Sequence, residues 1–278
     1  MRAIDASPGI SDSIALAGKR TRPASSPEPA AAADSPAIPD YLADTYRWAY
    51  LNPRSARLLD REIVVEAILW GNYRRLVREA CTYFHPGERV LQAASVYGSQ
   101  PARLADRLGP QGELEIIDVS QLQVERQRHK LASRANVTVR HADATVPPQR
   151  IYDAACCFFL LHELPESYRR CVVDGLLGCV KRGGRVVFVD YAGPRWYHPL
   201  RGVMALVNRW LEPFACSLWR DAIRSYATES AAFRWTERRF FLGLYQIVVA
   251  ERCDGGATRA HSRDPAAYSP AGDAAKRR

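Results

Sequence analysis

The sequence predicts an α/β fold: a mostly parallel sheet with helices on both faces. Three observations predict it. Strand-like apolar runs alternate with helical stripes between about residues 40 and 253. Two of those runs, 152–160 and 184–190, are apolar almost throughout, as strands covered on both faces must be. The remaining sequence, at the two ends, is polar and rich in Pro, Ala or Gly, so it adds little to a core.

The elements follow in order. Residues 62–80 read as a helix, with Ile63, Val64, Ala67, Ile68 and Val77 forming its stripe. Residues 89–94 are a short apolar strand. Residues 100–108 are a helix closed by Gly109. Residues 113–118 are a strand ending on an acid, 120–133 a charged amphipathic helix, and 137–141 a strand of period two. The central strand 152–160 is followed by a helix at 167–180 and the buried strand 184–190. Two late strands, 238–242 and 245–250, are joined at Gly243, and the second completes the sheet as an antiparallel addition. Residues 1–39 read as a disordered arm, 40–253 as the working domain and 254–278 as a tail.

Composition narrows the function classes. The chain has 278 residues, 47% hydrophobic, 10% aromatic and 25% charged, enough for one substantial core. Its net charge of +9 favours an anionic partner. The seven cysteines include no CxxC pair and no zinc spacing, which points to mostly buried thiols in a reducing compartment. No apolar run is long enough to span a bilayer, and the N-terminus lacks the apolar core of a secretory signal. A cytoplasmic protein resting peripherally on the inner face of a membrane is expected. No nucleic-acid motif is present, so no nucleic-acid partner is expected.

Chemistry in an open parallel sheet is expected beyond the carboxyl ends of the strands. Those ends carry Gln92, Ala94, Tyr97 and Gly98 after the first strand, then Asp118, then Asp143 and Ala144, then His162 and Glu163. Asp118 follows Gly98 by about 20 residues, the spacing of a carboxylate that accepts ribose hydroxyls. His162 and Glu163 suit acid–base work, or alternatively cap the next helix. Tyr73 lies on the helix before the first strand, where Gly71 permits bending over a cofactor. Tyr46, Trp48 and Tyr50 are candidates for the same lid.

This ordered set of strand-end signals resembles the class I S-adenosylmethionine-dependent methyltransferases over about residues 63–250. The resemblance implies a Rossmann-like sheet with a helical insertion after the fifth strand. It implies that Asp118 holds the ribose and that Asp143 with Ala144 faces the adenine. The run 159–165, preceded by Tyr152 and Asp153, resembles the central motif of quinone C-methyltransferases. The first loop departs from the family: Gln92 replaces its acid, while Ala94 and Val96 replace two glycines and leave Gly98. Ala94 is a mild change, whereas β-branched Val96 resists any position of positive φ. The methionine end of the ligand is therefore expected to be held differently.

That loop, with the Arg- and Trp-rich segment 195–236, resembles the rhodoquinone biosynthesis methyltransferase-like branch. The branch implies conversion of ubiquinone to rhodoquinone, a ring methoxy group giving way to an amino group from S-adenosylmethionine. It also implies a divalent metal, manganese, for which Asp143, His162 and Glu163 are candidate ligands. Tyr97, His162 and Glu163 are the candidate catalytic groups; Tyr73, Gln92, Ala94, Gly98, Asp118, Asp143 and Ala144 are the candidate cofactor contacts. The arginines and tryptophans of the insertion suit an anionic bilayer interface, from which a long-tailed ubiquinone would enter. The alternatives are a conventional quinone or small-molecule methyltransferase and a non-catalytic binding domain.

Overall fold

The computed structural model describes residues 36, 38, 39, 42, 46, 52–210 and 214–253. The proposed arm, apart from residues 36, 38 and 39, and the tail 254–278 lie outside them, as do Trp48 and Tyr50. The helices are α1 (Pro53–Leu59), α2 (Glu62–Ile68), α3 (Tyr73–Cys81), α4 (Gln100–Leu108), α5 (Gln121–Lys130), α6 (Glu166–Gly178), α7 (Arg201–Trp210) and α8 (Ala215–Leu218). The strands are β1 (Arg89–Ala93), β2 (Glu113–Asp118), β3 (Val137–His141), β4 (Tyr152–Phe158), β5 (Val180–Tyr191), β6 (Phe233–Phe240) and β7 (Tyr245–Arg252). They form one seven-stranded sheet in the order β3-β2-β1-β4-β5-β7-β6. β7 runs antiparallel to both of its neighbours, and the first five strands pair in parallel. The predicted fold class therefore holds.

Alternation along β4 explains why two layers of helix are needed. Ala154, Cys156 and Phe158 enter the core under α3, α4 and α5. Ala155 and Cys157 enter the opposite core, which is closed by α6 and by Leu218, Ile223 and Tyr226 of the insertion. The apolar central run reflects this double burial.

The single helix expected over 62–80 is two helices. Trp70 and Gly71 both take positive φ, 52° and 75°, and the Asn72 amide bonds back to the carbonyls of Leu69 and Trp70. Those side-chain bonds stabilise the break, which Gly71 alone only suggested. The late hairpin turns at Phe241, Leu242 and Gly243, all of positive φ. The insertion also differs from one amphipathic helix: it holds α7, the short α8 and two 3-10 turns. Trp196 is 81% exposed, but Trp219 packs on the core and Trp235 stacks against Phe188. A tryptophan border along the insertion is therefore not formed by these three. Of the described cysteines, Cys156, Cys157 and Cys179 are buried, while Cys171 and Cys253 are exposed.

Candidate functional site

The strand order reverses between β1 and β4, which opens a crevice beyond their carboxyl ends. The residue after each strand takes positive φ, Ala94 at 66° and Phe159 at 52°. Each still donates its N–H to the sheet, Ala94 to Ile117 O at 2.9 Å and Phe159 to Val189 O at 2.7 Å. The chain thus turns left-handed immediately after its last ladder bond. A non-glycine residue held there costs on the order of 1–3 kcal/mol, and such strain clusters at functional sites. This corrects the expectation for the loop: Ala94 bears the glycine-like conformation, and Val96 has no positive φ.

Two cavities meet at this point. The first, about 390 Å³, is mainly apolar, lined by Val65, Leu69, Trp70, Phe158, Met204 and Val207 among others. Tyr46, Tyr73, Tyr97, His162 and Tyr191 also face it. The second, about 60 Å³, is more polar and is lined by Ala94, Asp118, Ser120, Asp143, Ala144 and Thr145, with Leu42. Ser95, Phe159 and Glu163 line both and form the wall between them.

The predicted residues divide along that wall. Asp118, at the end of β2, accepts the N–H groups of Ser95 and Ser120, each at 2.7 Å. Burial nevertheless pushes its carboxyl above the ordinary aspartate value, against the pull of those two N–H groups. Asp143 accepts the N–H of Thr145 at 2.8 Å, forming the turn that sets Ala144 beside Asp118 in the polar cavity. Tyr97 faces the apolar side. Its hydroxyl accepts from the Gln123 amide at 3.0 Å, and the Arg126 guanidinium lies 5.0 Å from its ring centroid. Burial keeps this phenol protonated, so Tyr97 suits hydrogen bonding rather than proton abstraction.

Gln92 and Gly98 line neither cavity. Gln92 is fully buried, donates to Ala94 O at 3.3 Å and braces the turn from beneath. Gly98 packs over Tyr73, and its N–H is engaged by Asp60 at 3.1 Å. Tyr73 is less a flexible lid than a buried post under this loop, accepting from Gln100 N and donating to Tyr97 O.

His162 and Glu163 lie in a 3-10 turn, and no side chain caps α6. His162 Nδ1 is 2.9 Å from Asp190 Oδ1, and its Nε2 is 3.7 Å from Glu163 Oε1. The turn is held from behind by fully buried Arg169, which donates to Leu161 O and Leu164 O and also to Phe214 O and the Tyr226 hydroxyl. Asp190 and Arg169 were missed from sequence, and Phe159 was read only as the first residue of the run 159–165. An acid closing an apolar strand was the available signal for Asp190, the same signal that picked out Asp118. The proposed metal site does not fit: among the described residues no group of three His, Cys, Asp or Glu is arranged to hold an ion. Asp143 opens the β3 loop with its carboxylate turned onto Thr145, while His162 is turned onto Asp190, so these donors do not converge.

The comparisons agree with this geometry. Residues 90–184 match the family model described as a methyltransferase domain. That match runs from β1 into β5, so it covers the parallel half of the sheet and the strand ends that line the crevice. The ubiquinone/menaquinone biosynthesis C-methyltransferase UbiE of Edwardsiella ictaluri is 24% identical over 121 residues, 42% of this chain and 47% of that protein. The chain thus matches about half the length of that curated relative. Among solved structures, an O-methyltransferase family protein of Burkholderia thailandensis superposes with TM-score 0.59 at 16% identity, over 77% of this chain and 65% of that one. The N-methyltransferase NodS of Bradyrhizobium japonicum, in complex with S-adenosyl-L-homocysteine, gives 0.52 at 14% identity, over 78% of this chain and all of that one (100%). At these identities the structural likenesses establish the fold.

Proposed function

We propose that the protein is an S-adenosylmethionine-dependent transferase that methylates an apolar, quinol-type ring. The observation that carries this reading is the junction of the two cavities. A polar recess bearing Asp118 and Asp143 suits the nucleoside end of the donor, and an apolar chamber beside it suits a ring with an apolar tail. The reacting groups would meet at the shared wall of Ser95, Phe159 and Glu163. The chain's own part is to bind the ribose through Asp118, exclude water with Phe158, Phe159 and Met204, and hold a base, His162, against the ring.

A second reading, amino transfer from the donor with loss of a ring methoxy group as in rhodoquinone formation, is favoured by the altered first loop. Ala94 stands at a positive φ, and the Gly98 N–H is engaged by Asp60. The methionine end therefore meets a differently organised loop. One experiment separates the two. The purified protein is incubated with reduced and oxidised short-tailed ubiquinone and with donor carrying carbon-13 in its methyl group and nitrogen-15 in its amine. Methyl transfer predicts a product with carbon-13 alone; amino transfer predicts nitrogen-15 and loss of one methoxy group; neither label in any quinone would overturn both readings.

The reading extends to peripheral contact with an anionic membrane that supplies the substrate. Ile63, Ile68 and Trp70 on and just after α2, and Val203 and Leu206 on α7, are exposed. These two helices also line the apolar cavity, and exposed Arg61, Arg74 and Arg201 lie on or beside them. No helix among the described residues is long and apolar enough to cross a membrane.

A further inference from the structure

Asp190, the penultimate residue of β5, lies below the reacting wall and is 1% exposed. Its Oδ2 accepts the N–H of Leu161 at 2.8 Å and of His162 at 3.3 Å; its Oδ1 accepts the N–H of Tyr191 at 2.7 Å and faces His162 Nδ1 at 2.9 Å. A carboxylate surrounded by N–H donors is an acceptor only, so the short contact to Nδ1 requires that nitrogen to carry the proton. Nε2, 3.7 Å from Glu163 Oε1, is then the ring nitrogen left to exchange a proton with a substrate. Edge-to-face contacts from Tyr191, centroids 4.9 Å apart, and Phe159, 5.9 Å, hold the imidazole at the wall of the apolar cavity.

We infer that Asp190 is a positioning residue that sets the tautomer and angle of His162, and that the site is thereby specified for a ring substrate bearing an ionisable hydroxyl. This rests on the transferase reading above and narrows its substrate class. A neutral phenol or hydroquinone is a poor nucleophile at its ring oxygen or adjacent carbon, and its phenolate is a strong one. The substrate O–H proton passes to His162 Nε2 as the electron pair released onto the ring attacks the donor methyl. The carbon–sulfur bond of the sulfonium breaks towards sulfur, giving a neutral thioether and a protonated imidazole. An already methylated ring lacking a hydroxyl offers no such proton, so it enters the cavity without reacting.

The test begins on the unaltered, ligand-free protein. Nitrogen-15 NMR of the histidines, with His162 assigned through His162→Gln, is expected to show Nδ1 protonated and Nε2 unprotonated at neutral pH; the reverse tautomer overturns the inference. 4-Nitrophenol is then the binding probe, since its phenolate absorbs in the visible. Bound to the protein it is expected to ionise at least tenfold more readily than in water, and no more readily than in water on His162→Gln or Asp190→Asn. Equal ionisation on all three proteins overturns the proton-accepting role. Should Asp190→Asn fail to fold, the tautomer and the His162→Gln comparison still decide. A correct tautomer and an ionised probe, with no turnover of any hydroquinone, would sink the transferase reading and leave the Asp190–His162 assignment standing.

Discussion

The hydroxyl of Tyr73 occupies the space that a side chain at Gly98 would need: a Cβ built on Gly98 falls 2.5 Å from it. The same oxygen donates to Tyr97 O at 3.1 Å and accepts from Gln100 N at 2.7 Å. One buried phenol thus holds a loop that has Gly98 as its single glycine between β1 and α4. Gly98→Ala is expected to be strongly destabilising, because it adds both this overlap and a non-glycine φ of +78°. Tyr73→Phe is expected to cost about 1–3 kcal/mol by stranding two backbone groups. The double variant should be less unstable than the sum of the two, since removing the oxygen relieves part of the clash. Urea denaturation of all four proteins measures the coupling; strict additivity would show that the two residues do not share the space.

Asp118 predicts a pH dependence. Its folded value lies above the ordinary aspartate value because burial disfavours the charge. A raised folded value means that its contribution to stability is fully present below the unfolded value near 3.8 and is lost as pH rises through the folded value. Ligand binding runs the other way, because ribose hydroxyls need the ionised acceptor. Calorimetric affinity for S-adenosylhomocysteine should fall as pH drops through that raised value. Asp118→Ala should weaken binding about tenfold or more and flatten the dependence. Unchanged affinity in the variant would remove Asp118 from the site.

Arg169 ties the His162 turn to the insertion through Leu161 O, Leu164 O, Phe214 O and Tyr226. Arg169→Met keeps much of the apolar stem and removes every donor, so it should cost on the order of 3 kcal/mol. Arg169→Lys should recover less than half, because an ammonium cannot reproduce the planar fork. Hydrogen exchange is expected to rise at residues 161–164 in both variants. Protection equal to the parent protein would show that the turn is held by other contacts.

Thiol reactivity should follow burial. Cys171 and Cys253 are exposed, whereas burial pushes the Cys81 thiol up to about 11 and Cys179 to about 12, and Cys156 and Cys157 are wholly enclosed. Maleimide at neutral pH is expected to modify Cys171 and Cys253 first, read by peptide mass mapping. Early labelling of Cys156 would contradict the packing of β4.

For the rim around the apolar cavity, Leu206→Asp combined with Arg201→Glu should reduce sedimentation with anionic liposomes several-fold, the loss from Arg201→Glu alone being confined to anionic ones. Both side chains are exposed, so folding should be unaffected. Undiminished binding would separate the apolar rim from any membrane contact.

The residues themselves determined the alternation of strands and helices, the double burial of β4 and β5, and the strand-end acids Asp118 and Asp143. Periodicity and turn chemistry are local, and the ligand-facing ends of a parallel sheet follow from them. Only tertiary structure decided that Ala94 and Phe159 carry left-handed turns. A positive φ at a non-glycine residue is imposed by the ladder and packing around it, not by its own side chain. Likewise, pairing Asp190 with His162 across 28 residues depends on β5 lying beside β4. Gln92 was misplaced for the complementary reason: it belongs to β1, whose alternation turned its side chain into the core rather than toward a ligand. The metal donors failed on the same ground, since sequence places residues at strand ends but does not aim their side chains. Convergence is a property of three dimensions: in this chain Asp190 and Glu163 lie against the two different ring nitrogens of His162, while Asp143 is turned onto Thr145, so the suggested donors do not face a common point.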